Sequence, residues 1–352
     1  MREIFESAIE GMLTDLLTPA VHRQCADGGW PGELWNALEE AEFSRALVAE
    51  AAGGSGASWD DAYILARAAG AHAVPAPFAD AIFANWLLDR TGIDASGGAI
   101  AVATQSSLTC THGRASGVLA SVPWGRHLER VVALIQAEQP CIVVLDAQRA
   151  REVEHRSNLA GEPRDHLKFE NVPVLAIAEL PADLSPDVLL VGGAMMRSAQ
   201  MAGALQSLLR QTATYAGERK QFGKPIGHFQ VIQQQIAHLA EHVSCALLAA
   251  EAAFAESSPD PAPLPVMAAK ICAGEAASIG AAIAHAVHGA IGFTDEHSLH
   301  LKTRRLWAWR MEYGSQTFWS QRLGREVCAN GSAALWPMLT QSTAPTRAAT
   351  LE

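Results

Sequence analysis

The stretch Tyr215-Ala-Gly-Glu-Arg-Lys-Gln-Phe-Gly-Lys-Pro-Ile226, continued by Gly227-His-Phe-Gln230, decides how the rest of the chain is read. Upstream of it, Met201, Leu205, Leu208, Thr212 and Tyr215 recur at helical spacing. Downstream, Phe229, Ile232, Ile236, Leu239, Val243 and Leu247 repeat in steps of three and four, an apolar stripe that needs a partner helix. Gly223 suits the left-handed backbone at a helix end and Pro225 cannot donate to a continuing ladder, so two helices are separated here. Glu218, Arg219, Lys220 and Lys224 occupy the turn. A rigid loop presenting Arg beside backbone N–H groups suits an anion or a pyrophosphate. The same residues also suit a plain solvated turn, and spacing alone leaves both readings open.

Length and composition narrow the setting. The chain has 352 residues, 49% of them apolar and 18% charged, enough for one large core or two to three subdomains. A net charge of -11 argues against a nucleic acid partner, because phosphate contacts need a basic face. The six cysteines are scattered with no C-x-x-C pair, which fits reduced thiols in a cytoplasmic protein and gives no zinc site. Met1-Arg-Glu-Ile-Phe-Glu6 carries acids where a signal peptide needs basic and then apolar residues. The run Ala273–Phe293 is Ala/Gly-rich and interrupted by Glu275, His285 and His288, so it reads as a packed core helix and no membrane span is expected. His285 and His288 lack a third ligand at suitable spacing and read as helix packing.

Taken in order, the chain changes character twice. Residues 1–95 are helical in pattern, with Phe5, Ile9, Met12 and Leu16 on one stripe, Pro31 at a helix start, and helices expected from about Trp59 and Phe78. Gly53, Gly54 and Gly56 read as a turn before an N-cap at Ser58, since no strand precedes them. Residues 96–184 carry short apolar runs around 99–103, 117–122, 131–135, 141–145, 167–170 and 174–177, with no helical pattern between them. A small antiparallel sheet or barrel built of hairpins is expected, and without G-x-G-x-x-G a dinucleotide-binding βαβ unit has little support. Residues 185–352 return to helix, with the Pro-rich connector 257–265 expected to hold none, a long helix from about Val266, and shorter ones carrying Leu306, Trp309 and Tyr313, then Trp319, Leu323 and Val327. The fold class is therefore α+β, mostly α: a helical domain, a β domain and a C-terminal four-helix bundle.

This order resembles the acyl-CoA dehydrogenase flavoprotein family. Tyr215 to Gln230 is similar to that family's Y-A-x-x-R-x-Q-F-G-x-P-I-x-x-F-Q signature, and His288-Gly-Ala-Ile-Gly-Phe-Thr-Asp-Glu-His-Ser-Leu-His300 resembles its H-G-G-x-G-F-T-x-E-H-x-L-H turn. Leu47 to Gly56 is similar to a weaker N-terminal motif. The resemblance implies FAD bound at a subunit interface, an acyl-CoA substrate, an electron-transfer flavoprotein as acceptor, and a dimer or tetramer. It places Arg219, Phe222 and Gln230, with Gly289 nearby, against the pyrophosphate and ADP half of a neighbouring subunit's FAD.

The departures from the family pattern fall on one side. Counted from Gly292-Phe293, the usual late carboxylate position holds Tyr313, with Glu312 one residue early. The alternative base position falls near Gly193. The loop that usually covers the flavin ring is reduced to Thr104-Gln-Ser-Ser-Leu-Thr-Cys-Thr-His-Gly113 without its acids, and Ala286 and Ala290 replace a usual Gln and Gly. Features serving a neighbour's FAD are kept, and those building the chain's own flavin pocket and base are eroded. Three readings follow: one half of a hetero-oligomeric acyl-CoA dehydrogenase, acting on bulky acyl groups such as steroid side chains; an ordinary homotetramer with Glu312 as catalytic base; or a non-catalytic structural or regulatory paralogue that binds a partner subunit without a flavin.

Overall fold

The computed structural model describes residues 2–26, 28–95, 97–136 and 139–340. Five helices come first: α1 (Arg2–Leu16), α2 (Pro19–Ala26), α3 (Gly32–Glu40), α4 (Trp59–Ala71) and α5 (Phe78–Arg90). Ser58 opens α4 as a capping box: its hydroxyl accepts from the Asp61 amide at 3.3 Å, and the Asp61 carboxylate accepts from the Ser58 amide at 3.1 Å. Phe5, Ile9 and Leu13 bury the inner stripe of α1.

Nine strands follow: β1 (Ile100–Ala103), β2 (Gln105–Ser106), β3 (Thr109–Thr111), β4 (Arg114–Pro123), β5 (Arg130–Ile135), β6 (Cys141–Asp146), β7 (Glu152–Glu154), β8 (Arg164–Pro173) and β9 (Ala176–Glu179). They form two sheets, ordered β1-β5-β6-β9 and β2-β4-β8-β7, with β3 paired to β4. The pairing is antiparallel as expected, apart from β1 and β5, which run parallel. Parallel neighbours need a long crossover. Here the crossover is made of β2, β3 and β4, strands of the second sheet, so no helical pattern announces it in the sequence.

The C-terminal part is built on α6 (Val188–Glu218), α7 (Gln230–Ala255) and α8 (Pro263–His288), completed by α9 (Leu299–Trp309), α10 (Gln316–Asn330) and α11 (Ser332–Thr340). Helix α8 starts inside the connector expected to be non-helical, because Pro263 and Pro265 sit in its first turn, where no intrahelical N–H is needed. Between α6 and α7 a two-stranded hairpin, β10 (Lys220–Gln221) with β11 (Lys224–Pro225), holds the turn on which the sequence pivots. Two stretches, Val188–Glu218 and Pro263–Phe293, are long and apolar enough to cross a membrane, and both pack as helices of the bundle, the first 94% buried over its most apolar window.

Candidate functional site

Two features of the chain sit apart and have opposite character: a polar loop that nothing in the chain engages, and a walled pocket whose charges are all engaged. The loop is Arg219 to Gln230. Its backbone is tied down by the β10–β11 pairing and by the Ile226 amide donating to the Arg219 carbonyl at 2.8 Å. Lys224 Nζ lies 4.5 Å from the Phe229 ring centroid, and the rings of Phe222 and Phe229 meet edge to face at 6.1 Å. Nevertheless Phe222 is 91% exposed, and the side chains of Arg219 and Gln230 are exposed with no partner among the described residues. A rigid loop that leaves an Arg fork and an aromatic ring unused is preformed for something outside the chain.

The second matched turn lies alongside. Tyr215 stacks on His288 at 4.4 Å and its hydroxyl donates to the His288 carbonyl at 3.2 Å, which fixes the α6 end against the α8 end. Gly289 follows with φ +64 and open space around its missing Cβ, so its backbone can be approached closely. His288 is buried and its Nε2 has no partner. Phe293 stacks on His285 at 4.5 Å yet remains 75% exposed. Thus Arg219, Phe222, Gln230 and Gly289 belong to one end of the bundle. Their exposed groups, a free guanidinium, an amide and aromatic rings, fit the phosphate, ribose and adenine groups of a dinucleotide.

The pocket lies between the two sheets and the bundle and has a volume of about 880 Å³. Thr104, Gln105, Ser106 and Ser121 line its sheet side; Leu189, Leu190, Trp307 and Met311 supply an apolar wall; Glu312, Tyr313 and Gly314 form part of its floor. The shortened loop at 104–113 therefore does reach the pocket rim.

Below that floor is a buried ionic network that periodicity gave no reason to expect. Three carboxylates, Asp80, Glu162 and Glu312, face three guanidiniums, Arg164, Arg197 and Arg305. Glu312 accepts from Arg164 through both oxygens, each at 2.9 Å, from Asn158 at 2.8 Å, and lies 3.0 Å from Arg197. Burial alone would raise its pKa, but Arg164 and Arg197 outweigh burial and hold it at about 2. Glu162 accepts from Arg305 at 3.0 Å and from the Trp309 indole at 2.9 Å. The other carboxylate on the pocket wall, Asp187, pairs with Arg322 at 2.9 Å. A signal for part of this network was present: Arg197 is the single charge in the apolar run 188–204 of α6.

Tyr313 has its hydroxyl taken up within the chain. It donates to Asp80 Oδ1 at 2.6 Å, and its ring lies on Gly193, where a Cβ would come within 2.2 Å of the ring. Burial beside Asp80 drives the phenol well above its ordinary pKa. The two family positions for a base, Tyr313 and Gly193, thus meet face to face, and neither brings a carboxylate. Lys270 secures the same turn, donating to the carbonyls of Trp309, Arg310 and Gly314 at 3.3, 3.0 and 2.8 Å. Burial pushes its pKa down to about 7. Among the described residues no group of three or more His, Cys, Asp or Glu could hold a metal.

Helical layer, paired small sheets and apolar bundle, with the loop and turn at one end of that bundle, define an acyl-CoA dehydrogenase fold. Residues 189–321 match the acyl-CoA dehydrogenase C-terminal domain, and relatives named acyl-CoA dehydrogenase align with most of the chain. It is 29% identical over 312 residues to acyl-CoA dehydrogenase IpdE2 of Mycobacterium tuberculosis, covering 86% of this chain and 90% of that protein. Its fold is shared by the ChsE4-ChsE5 complex of Mycobacterium tuberculosis, with TM-score 0.83, 22% identity, and coverage of 94% of this chain and 98% of that one. It is also shared by the steroid ACAD Tcur3481-Tcur3483, with TM-score 0.82, 22% identity and the same coverage.

Proposed function

We propose that this chain is one subunit of a hetero-oligomeric acyl-CoA dehydrogenase and completes the FAD sites of a related polypeptide that carries the base. The observation behind this reading is the contrast between an unengaged Arg219 loop and a pocket whose base position holds Tyr313 stacked on Gly193. When bound, FAD supplies the acceptor for a hydride leaving the β-carbon of an acyl-CoA thioester. Arg219 offers its fork to phosphate oxygens, Phe222 an apolar wall, Gln230 an amide for polar edges, and Gly289 a backbone that a ligand can approach. On this chain's side of the pocket no proton is taken: a general base needs a pKa near the working pH, and Glu312 is held at about 2 by its arginines. Glu312 anchors the pocket floor instead. The ChsE4-ChsE5 complex and the Tcur3481-Tcur3483 pair among the solved structures of this fold support the hetero-oligomer, and the steroid named in one of them supports a bulky acyl group. An electron-transfer flavoprotein is the onward acceptor by analogy with the family.

The test is made on the co-purified assembly of this chain with its related subunit. Arg219→Ala is expected to lower bound FAD per assembly at least tenfold in affinity, while Glu312→Gln, where it folds, leaves dye reduction by acyl-CoA within threefold. Abolition of turnover by Glu312→Gln with FAD still bound would instead establish Glu312 as the base.

A further inference from the structure

On the face of the bundle turned toward α1 and α2, a second concavity has no role in the reading above. It is a trough of about 600 Å³ between α1, α2, the end of α4, α6 and the start of α9, and it runs on into a shallower cavity of about 310 Å³ along α6. Ser207, Arg210, Ser298 and Lys302 line both parts and so mark their junction.

Its charges are unusual for a chain of net charge -11. The acids of the larger part are already matched: Glu6 pairs with Arg67 at 2.6 Å, and Glu10 with His72 at 2.8 Å. Arg210 and Lys302 have no hydrogen bond or ion pair among the described residues. Lys302 is held in this state although burial, with Arg305 nearby, lowers its pKa. Two buried polar atoms on the walls are also unpartnered, Nδ1 of His22 and Oε1 of Gln211. His22 is pushed down to about 4 by burial and by Arg305 and Lys302, so it is neutral at neutral pH. No acidic residue occupies the first turn of α9, whose N-terminal end opens here. Buried unsatisfied polar atoms beside a half-buried unpaired lysine cost stability unless water or a ligand completes them.

We propose that this trough binds a phosphate ester of nucleotide size, with Arg210 and Lys302 as the phosphoryl-binding cations and His22 and Gln211 as polar contacts. It does not include the Arg219 loop: neither part is lined by a residue from Arg219 to Gln230, and the smaller part ends at Tyr215, Glu218 and His297.

The probes are ADP and inorganic pyrophosphate, titrated calorimetrically into the full chain at low and high salt. The titrations use a chain carrying Arg219→Ala, so that the loop cannot contribute; expected are saturable ADP binding that weakens with salt and at least a tenfold loss of affinity on adding Arg210→Glu or Lys302→Met. Arg210 is exposed, so its charge reversal leaves folding intact. Binding of pyrophosphate equal to that of ADP assigns the site to the phosphoryl group alone; stronger ADP binding adds the nucleoside. Absence of saturable binding in that background overturns the proposal, as does an affinity left unchanged by adding Arg210→Glu and Lys302→Met.

Discussion

At the scale of single residues, the floor of the pocket is governed by hydrogen bonds that leave no chemistry to spare. Tyr313 gives its proton to buried Asp80, whose remaining cation, Arg197, stands 3.5 Å away. Tyr313→Phe leaves that carboxylate short of a donor, and a loss of about 1–3 kcal/mol in unfolding free energy is expected by denaturant titration. Glu312→Gln removes the anion shared by Arg164 and Arg197 and leaves two buried charges unbalanced, for which a loss of about 3–5 kcal/mol is expected in the same measurement. Lys270 gives a pH signature. Its folded pKa, about 7, lies below the ordinary 10.5, so the unfolded state holds more protons between those values and stability rises with pH across that window. Lys270→Met abolishes that rise: the melting temperature of the wild type should gain on the variant between pH 7 and 10, and parallel profiles would contradict the assignment.

At the scale of elements, α6 carries the architecture, and its closest crossing is with α4. A Cβ on Gly70 would lie 1.8 Å from the Gln200 carbonyl oxygen, and one on Gly203 would lie 1.9 Å from the Arg67 carbonyl oxygen. Backbone meets backbone on both sides, with no side chain to yield. Gly70→Ala is therefore expected to cost at least about 1–3 kcal/mol, read as a lower denaturation midpoint, even though alanine is the better helix former. Much of this level was legible in the sequence. The stripe from Phe229 to Leu247, the Ser58 cap and the punctuation at Gly223 and Pro225 each rest on local chemistry that a sequence displays. The parallel β1–β5 pair was not legible, because register across sheets is decided by distant partners. Nor was most of the network of Asp80, Glu162, Arg164, Arg197 and Glu312, whose members lie on four separate segments and meet only when the sheets dock on the bundle. Arg219, Phe222, Gln230 and Gly289 were readable as a motif, but their shared exposure at one end of the bundle is a property of the folded chain.

At the scale of the whole molecule, the chain divides its resources between two ends. One end offers a rigid, unengaged cationic loop beside exposed Phe222 and Phe293; the other encloses a pocket whose acids are locked in ion pairs. An enzyme complete in itself has reason to keep a tunable carboxylate in the pocket, whereas a subunit that completes a neighbour's cofactor site has reason to keep the loop. The most direct test is dye-coupled oxidation of a steroid side-chain acyl-CoA, with FAD supplied, by the purified chain alone and after mixing with its related subunit. The account predicts no turnover by the chain alone and turnover with one FAD for each pair of unlike chains in the mixture. Turnover by the chain alone, with FAD bound to a homo-oligomer, would contradict it.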